Sequence, residues 1–407
     1  MQSNTNYSHR DLLVAVTALL ITVVSPFALD SYTPSLPAIT RAFNSSAHTI
    51  QLTISLYLCG VVISQLFYGP LSDRFGRRLI VLLSLSITII GTLFCALAKS
   101  PDTLILARLV QGIGAGGSNV LFRAILRDQF SGLRMSHMAS YMSMAYTVML
   151  AAAPIIGGHL QAAFGWRSNF IFLILLFSAI TFLCWLYLPE TNQSLNKEAL
   201  RIRVLFKNYL SVLTHKKFIG YVGCSSLAFS GFTTFYTMGP FLLQNGFGLS
   251  AVVYGWLSAF LALGLFLGTL LNSIFVLRFD TTLLLKIGLL AMALSGLALL
   301  LASWFGFISV YAIMIATCIF IIGGGLVFSN AMAGAFEPFP RIAGIAGALY
   351  GTLQVLGAFI TSLIIAELPR DNQSTMAIIF MVLGALGLML FYAFISEPIS
   401  EEQASLS

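Results

Sequence analysis

Residues 69–78 read Gly69-Pro70-Leu71-Ser72-Asp73-Arg74-Phe75-Gly76-Arg77-Arg78, a short charged loop between two long apolar runs. Gly69-Pro70 ends one helix, Gly76 permits a tight turn, and the basic cluster pins the loop to one face of a membrane. Outward from this loop the chain is apolar in both directions. Hydrophobic residues make up 58% of its 407 positions and charged residues 9%, which leaves no room for a large water-soluble domain. A helix needs about 20 mostly apolar residues to cross ~30 Å of hydrocarbon. Runs of that length occur at 12–38, 47–68, 79–99, 102–127, 137–162, 168–188, 217–243, 250–276, 282–302, 306–333, 343–367 and 374–396. Twelve continuous runs predict an all-α integral membrane protein; the strands of a β-barrel would alternate in short segments instead.

An even number of spans puts both termini on one side. Arg10, Arg74, Arg77, Arg78, Arg123, Arg127, Arg134, Lys197, Arg201, Arg203, Lys207, Lys216, Lys217, Arg278, Lys286 and Arg341 fall at the N-terminus or near even-to-odd connections. Only Arg41, Lys99, Arg167 and Arg370 lie near the others. The termini and central loop are therefore expected in the cytoplasm, and the net charge of +7 is an orientation signal rather than a nucleic-acid surface. The first run is too long for a cleaved signal peptide and ends in Asp30, Pro34 and Pro37. Cys59, Cys95, Cys184, Cys224 and Cys318 lie inside spans without paired or metal-like spacing.

The long hydrophilic stretch from Pro189 divides six spans from six. It predicts two six-helix bundles, 1–188 and 217–407, joined by a cytoplasmic linker over 189–216. Tyr32-Thr33 recurs as Tyr236-Thr237 and Arg74-Phe75 as Arg278-Phe279, at one shared offset that maps Asp30 onto Thr234. The second half thus lacks the acid of the first.

Asp30 and Arg108 are opposite charges inside apolar spans, and ionisable groups at that depth are normally kept for proton, ion or substrate handling. Asp30 lies ~27 Å along its helix from the inner start of span one, and Arg108 ~9 Å from the outer start of span four. Both fall in the outer half of the bilayer, so they can approach each other. Burial favours the neutral form of a carboxyl and a nearby guanidinium favours the ionised form, so a change of conformation can load or release a proton.

With twelve spans around it, the 69–78 loop resembles the signature loop of the major facilitator superfamily. That resemblance implies a conformational latch of Asp73, Arg74, Arg77 and Asp128, the last at the cytoplasmic end of span four. Arg108-Leu109-Val110-Gln111-Gly112 resembles the family's fourth-span motif, whose arginine influences a protonatable acid. Gly112 and Gly116 carry the spacing of close helix approach. Ala153-Pro154-Ile155-Ile156-Gly157-Gly158 resembles the motif of the antiporter branches through Pro154, Gly157 and Gly158, although Met149 and Ala153 stand where glycines are common. Asp30-Ser31-Tyr32-Thr33-Pro34-Ser35-Leu36-Pro37 and Pro338-Phe339-Pro340-Arg341-Ile342-Ala343-Gly344 are similar to the bicyclomycin-resistance (Bcr/CflA) branch of drug:proton antiporters.

The resemblance implies a monomeric exporter of the bacterial inner membrane that takes small-molecule substrates and protons, with the proton gradient in place of a cofactor. Aromatic and small polar residues suited to amphipathic molecules are Tyr32, Gln111, Phe232, Phe235, Tyr236, Asn330, Tyr350 and Gln354. An importer of a metabolite or siderophore on the same fold is the alternative. An intramembrane enzyme lacks support: the spans hold no paired catalytic acids, His-rich metal site or Ser/His dyad.

Overall fold

The computed structural model describes residues 9–196, 209–339, 342–369 and 372–396. Among them are twelve helices long and apolar enough to cross a membrane. They are α1 (His9–Asp30), α2 (Ala47–Phe75), α3 (Arg77–Leu97), α4 (Pro101–Gln129), α5 (Gly132–Phe164) and α6 (Arg167–Tyr187), followed by α7 (Lys216–Pro240), α8 (Ala251–Phe275), α9 (Thr281–Trp304), α10 (Val310–Phe336), α11 (Ala343–Glu367) and α12 (Gln373–Phe394). Number and order match the apolar runs. Lys197, Arg201, Arg203, Lys207, Pro340, Arg341 and Arg370 lie outside the described residues.

One expectation about the signature loop is corrected. Gly69-Pro70 does not end α2, which carries Pro70 inside it and runs on to Phe75. Termination comes at Gly76, whose φ of 97° is a left-handed conformation that glycine adopts without a Cβ penalty.

Helix starts follow local chemistry. Ser46 accepts from the Thr49 backbone nitrogen at 3.1 Å, and Ser309 does the same for Ala312. Ser100 and Thr103 form a reciprocal capping box, with Pro101 at the first helical position of α4. Two helices end irregularly. A 3-10 turn, Thr33–Ser35, and a short helix, Leu36–Ala42, follow α1, while Phe241–Gly246 forms a π-helical turn after α7.

The chain forms two compact units. One comprises Met1–Leu205, Tyr236–Leu263 and Phe359–Asp371; the other comprises Phe206–Phe235, Gly264–Ala358 and Asn372–Ser407. In the first, α4 is wedged between α2 and α3 by small residues. A methyl on Gly112 would strike the Tyr57 carbonyl of α2, and one on Gly114 the backbone of Thr88 on α3. The second unit repeats this device: Gly325 of α10 lies on Gly268 of α8, and Gly323 on Gly288 of α9. Gly60 of α2 and Gly264 of α8, at the offset relating Tyr32 to Tyr236, face α4 and α10 respectively. Close backbone approach of this kind lets van der Waals contact hold helices together where lipid removes the hydrophobic drive.

Candidate functional site

The wedge that buries α4 also buries Arg108, which has no exposed surface. Asp30, the last residue of α1, is 2% exposed. The two do not form an ion pair. No carboxylate among the described residues lies within 4.0 Å of the Arg108 nitrogens. Asp30 nonetheless lies within electrostatic reach of Arg108. The guanidinium is held by neutral groups: Nη1 donates to the Ala28 carbonyl at 2.8 Å and to Gln111 Oε1, and Nε donates to the Thr53 carbonyl at 3.4 Å. Two ring faces lie against it, Tyr32 at 4.1 Å and Tyr57 at 4.3 Å. The remaining nitrogen, Nη2, is buried without a hydrogen-bond partner.

The surroundings of this cation are themselves fixed. Gln111 Nε2 donates to Thr92 Oγ1 at 2.9 Å, which orients the amide oxygen toward Arg108. The Tyr32 hydroxyl is 3.0 Å from Thr53 Oγ1, and the Tyr57 hydroxyl donates to the Ser25 carbonyl at 3.2 Å. Tyr32 and Gln111, expected to line a substrate cavity, are fully buried and contact Arg108. Sequence reading missed Tyr57, Thr53 and Thr92. The available signal for Tyr57 was its place three residues before Gly60, one helical turn from a small residue at a helix contact.

At the charge-rich end of the same unit, Arg77 joins three helix ends. Its Nη1 lies 2.6 Å from Asp73 Oδ1 and its Nε 2.8 Å from Asp128 Oδ2, with a further bond from Nη1 to Ser72 Oγ. Arg74 is placed otherwise, 5.2 Å over the ring of its neighbour Phe75. Glu190 is the residue that sequence reading missed. Its carboxylate accepts from the backbone nitrogens of Arg77 at 2.9 Å and Arg78 at 3.2 Å. The helix α3 opens on Gly76, which has no side chain to cap it, so the acid after α6 satisfies those free donors. Asn192 Nδ2 adds a bond to the Asp73 carbonyl at 3.2 Å, and Arg78 donates to the Trp185 carbonyl at 2.6 Å.

At the opposite end of this unit the antiporter-like stretch of α5 meets two backbones. Gly157 lies against the Ser31 carbonyl just past Asp30, and Gly158 against the Ala251 carbonyl at the start of α8. A Cβ on Gly255 would stand 2.5 Å from the Pro154 carbonyl. Cross-links surround this seam. Gln244 of the π-helical turn donates to the Pro34 carbonyl at 3.0 Å, Gln51 to the Thr237 carbonyl at 2.9 Å, and Ser362 Oγ to Ser55 Oγ at 2.8 Å. His48 Nδ1 lies 2.9 Å from the Ala366 carbonyl and 3.6 Å from Glu367 Oε1. Asn169 of α6 ties this region together, bonding Ser35 Oγ at 2.9 Å and the Gly157 carbonyl at 3.3 Å.

The remaining candidates divide by environment. Phe232 stacks with Phe229 and Phe328 at centroid distances of 6.5 and 5.8 Å, and Tyr350 meets Phe336 edge-on at 5.4 Å. Phe235 and Tyr236 are buried. Asn330 donates to Asn272 Oδ1 at 2.6 Å, joining α10 to α8, and Gln354 donates to Ser225 Oγ at 2.8 Å, joining α11 to α7. Thr234, at the position that the repeat relates to Asp30, returns its hydroxyl to the Ser230 carbonyl.

Twelve spans, glycine-wedged helices repeated in two halves and a buried acid near an unpaired cation define a multi-pass membrane protein of the secondary-transporter class. Residues 18–362 match the model of the Major Facilitator Superfamily, and the chain belongs to that family of transporters. It falls in the Bcr/CflA branch. It is 30% identical to multidrug resistance protein D of Escherichia coli over 93% of this chain and 94% of that one. It is 27% identical to the bicyclomycin resistance protein homologue of Haemophilus influenzae over 95% and 97%. Among solved structures, the xylose transporter XylE from E. coli superimposes with a TM-score of 0.76 at 15% identity, over 96% of this chain and 99% of that one. That likeness concerns the fold.

Proposed function

We propose that this chain is a proton-coupled exporter of amphipathic small molecules that works by alternating access, with Asp30 as the proton carrier and Arg108 as its modulator. The observation that carries the reading is the burial of Asp30 beside an arginine that is not paired with it. An acid locked in an ion pair would stay ionised, whereas an unpaired one can take up and give back a proton. The printed names of the relatives, multidrug and bicyclomycin resistance, support export of such molecules.

In this reading the protein lies in the bacterial inner membrane with both termini cytoplasmic, as two six-helix bundles and a linker. Tyr32 and Gln111 serve Arg108, which leaves Phe232, Phe235, Tyr236, Asn330, Tyr350 and Gln354 as candidates for lining the substrate path. Asp73, Arg77 and Asp128 form the cytoplasmic latch.

The test is proton movement in everted vesicles holding an acid-interior gradient. Adding an exported compound should release protons from the lumen, and Asp30→Asn should abolish that release while the protein is still made and inserted. Wild-type release in the Asn variant removes Asp30 from the mechanism. Proton movement of the opposite sign makes the protein a symporter.

A further inference from the structure

We propose that Tyr32 and Tyr57 are positioning residues: by holding the Arg108 guanidinium against their ring faces they keep it from closing onto Asp30. The acid then feels the arginine's charge without being pinned by it. This inference rests on the reading of Asp30 as the proton carrier and explains how that carrier stays available.

The geometry at the guanidinium points this way. Its carbon lies 4.1 Å from one ring centroid and 4.3 Å from the other, within the range where a cation is drawn to the negative face of an aromatic ring. Both rings are buried, so packing alone keeps either from swinging away, and their hydroxyls reach Thr53 and Ser25. The in-plane donors go to the Ala28 and Thr53 carbonyls and to Gln111, all neutral. Neutral acceptors and ring faces stabilise a buried cation without cancelling its net charge, as a carboxylate would. The unpartnered Nη2 shows that the site does not use every donor of the arginine. Tyr57 also lies within electrostatic reach of Asp30, so clamp and acid share one neighbourhood.

The two tyrosines therefore do a job that their burial alone does not explain. Packing could be met by leucine or isoleucine, but only an aromatic face competes with Asp30 for the guanidinium.

The experiment replaces Tyr57, and separately Tyr32, with phenylalanine and then with mono-, di- and trifluorophenylalanine. Fluorine drains the ring face of negative charge with little change of shape, so folding is preserved across the series. The readout is the protonated carboxyl band of Asp30 in infrared difference spectra taken through a pH titration of the full chain in lipid, assigned by its loss in Asp30→Asn. Proton affinity of Asp30 should be unchanged in the phenylalanine variants and fall stepwise with fluorination, reaching about three- to tenfold as the cation–π attraction is lost. A band that titrates identically in the whole series overturns the clamp and leaves the proton-carrier reading standing. A full shift already present in phenylalanine assigns the effect to the hydroxyls and also overturns it. If the wild type shows no titrating band that Asp30→Asn removes, the carrier reading fails, and the clamp fails with it.

Discussion

Arg77 reaches Asp128 at 2.8 Å, tying the first turn of α3 to the last turn of α4, while its own backbone nitrogen is held by Glu190. One residue thus links the signature loop, the fourth helix and the segment after the sixth. Its side chain is nearly buried, whereas Asp73 is substantially exposed, so the bond to Asp128 is the stronger of its two ion pairs.

Because Glu190 caps a helix that begins with glycine, Glu190→Gln should lower the thermal stability of the purified protein by about 0.5–1 kcal/mol. Gln193→Asn, a change on an exposed neighbouring side chain that leaves the capping carboxylate in place, is the matched control. Equal melting temperatures for Glu190→Gln and wild type would show that the cap contributes nothing.

If the charge cluster biases the conformational equilibrium, Asp73→Asn should increase labelling of cysteines from the cytoplasmic side, without altering substrate affinity in a trapped inward-open form. A contact that ligand does not touch shifts only the two-state balance. Unaltered labelling together with a collapse of affinity assigns these charges to binding or folding.

Gly112→Ala should be severely destabilising, by at least about 1–3 kcal/mol, because the added methyl meets the Tyr57 backbone rather than a movable side chain. Gly306→Ala is the contrasting variant. Nothing lies near its Cβ position, and only the φ of 78° resists substitution, at about 1–2 kcal/mol. Thermal unfolding in detergent compares the two directly, and a milder effect at Gly112 than at Gly306 would refute the wedge.

Asn330 and Asn272 should behave as a unit. Either single alanine variant leaves a buried or half-buried amide without its partner and costs about 1–2 kcal/mol, and the double variant should cost less than the sum. Strict additivity in a double-mutant cycle would show that the bond between the two amides contributes nothing.

Span number, order and the small-residue spacing of α4 were legible because hydrocarbon thickness and the exclusion of polar backbone leave few alternatives. Asp30 and Arg108 stood out because charge at that depth is costly. The partners of Arg108 were not legible. Tyr57, Thr53 and Thr92 are ordinary residues of apolar helices, and only the rotation of α2 and α3 about α4 brings them to the guanidinium. Glu190 was hidden for a different reason: it sits in a hydrophilic stretch where an acid draws no notice, and its role is set by a glycine more than a hundred positions earlier. Pro70 misled because proline usually marks a helix end, while α2 accommodates it and runs on to Phe75.

The seam of Gly157, Gly158 and Gly255 is made of main chain facing main chain. Such a surface has no interlocking knobs, so the helices can shear past one another without side chains having to unlock. It is also unforgiving in heredity. A methyl added there collides with atoms common to every amino acid, and no second substitution opposite can make room. A substitution that changes what this transporter carries is therefore accommodated more readily on surfaces built from side chains than at this seam.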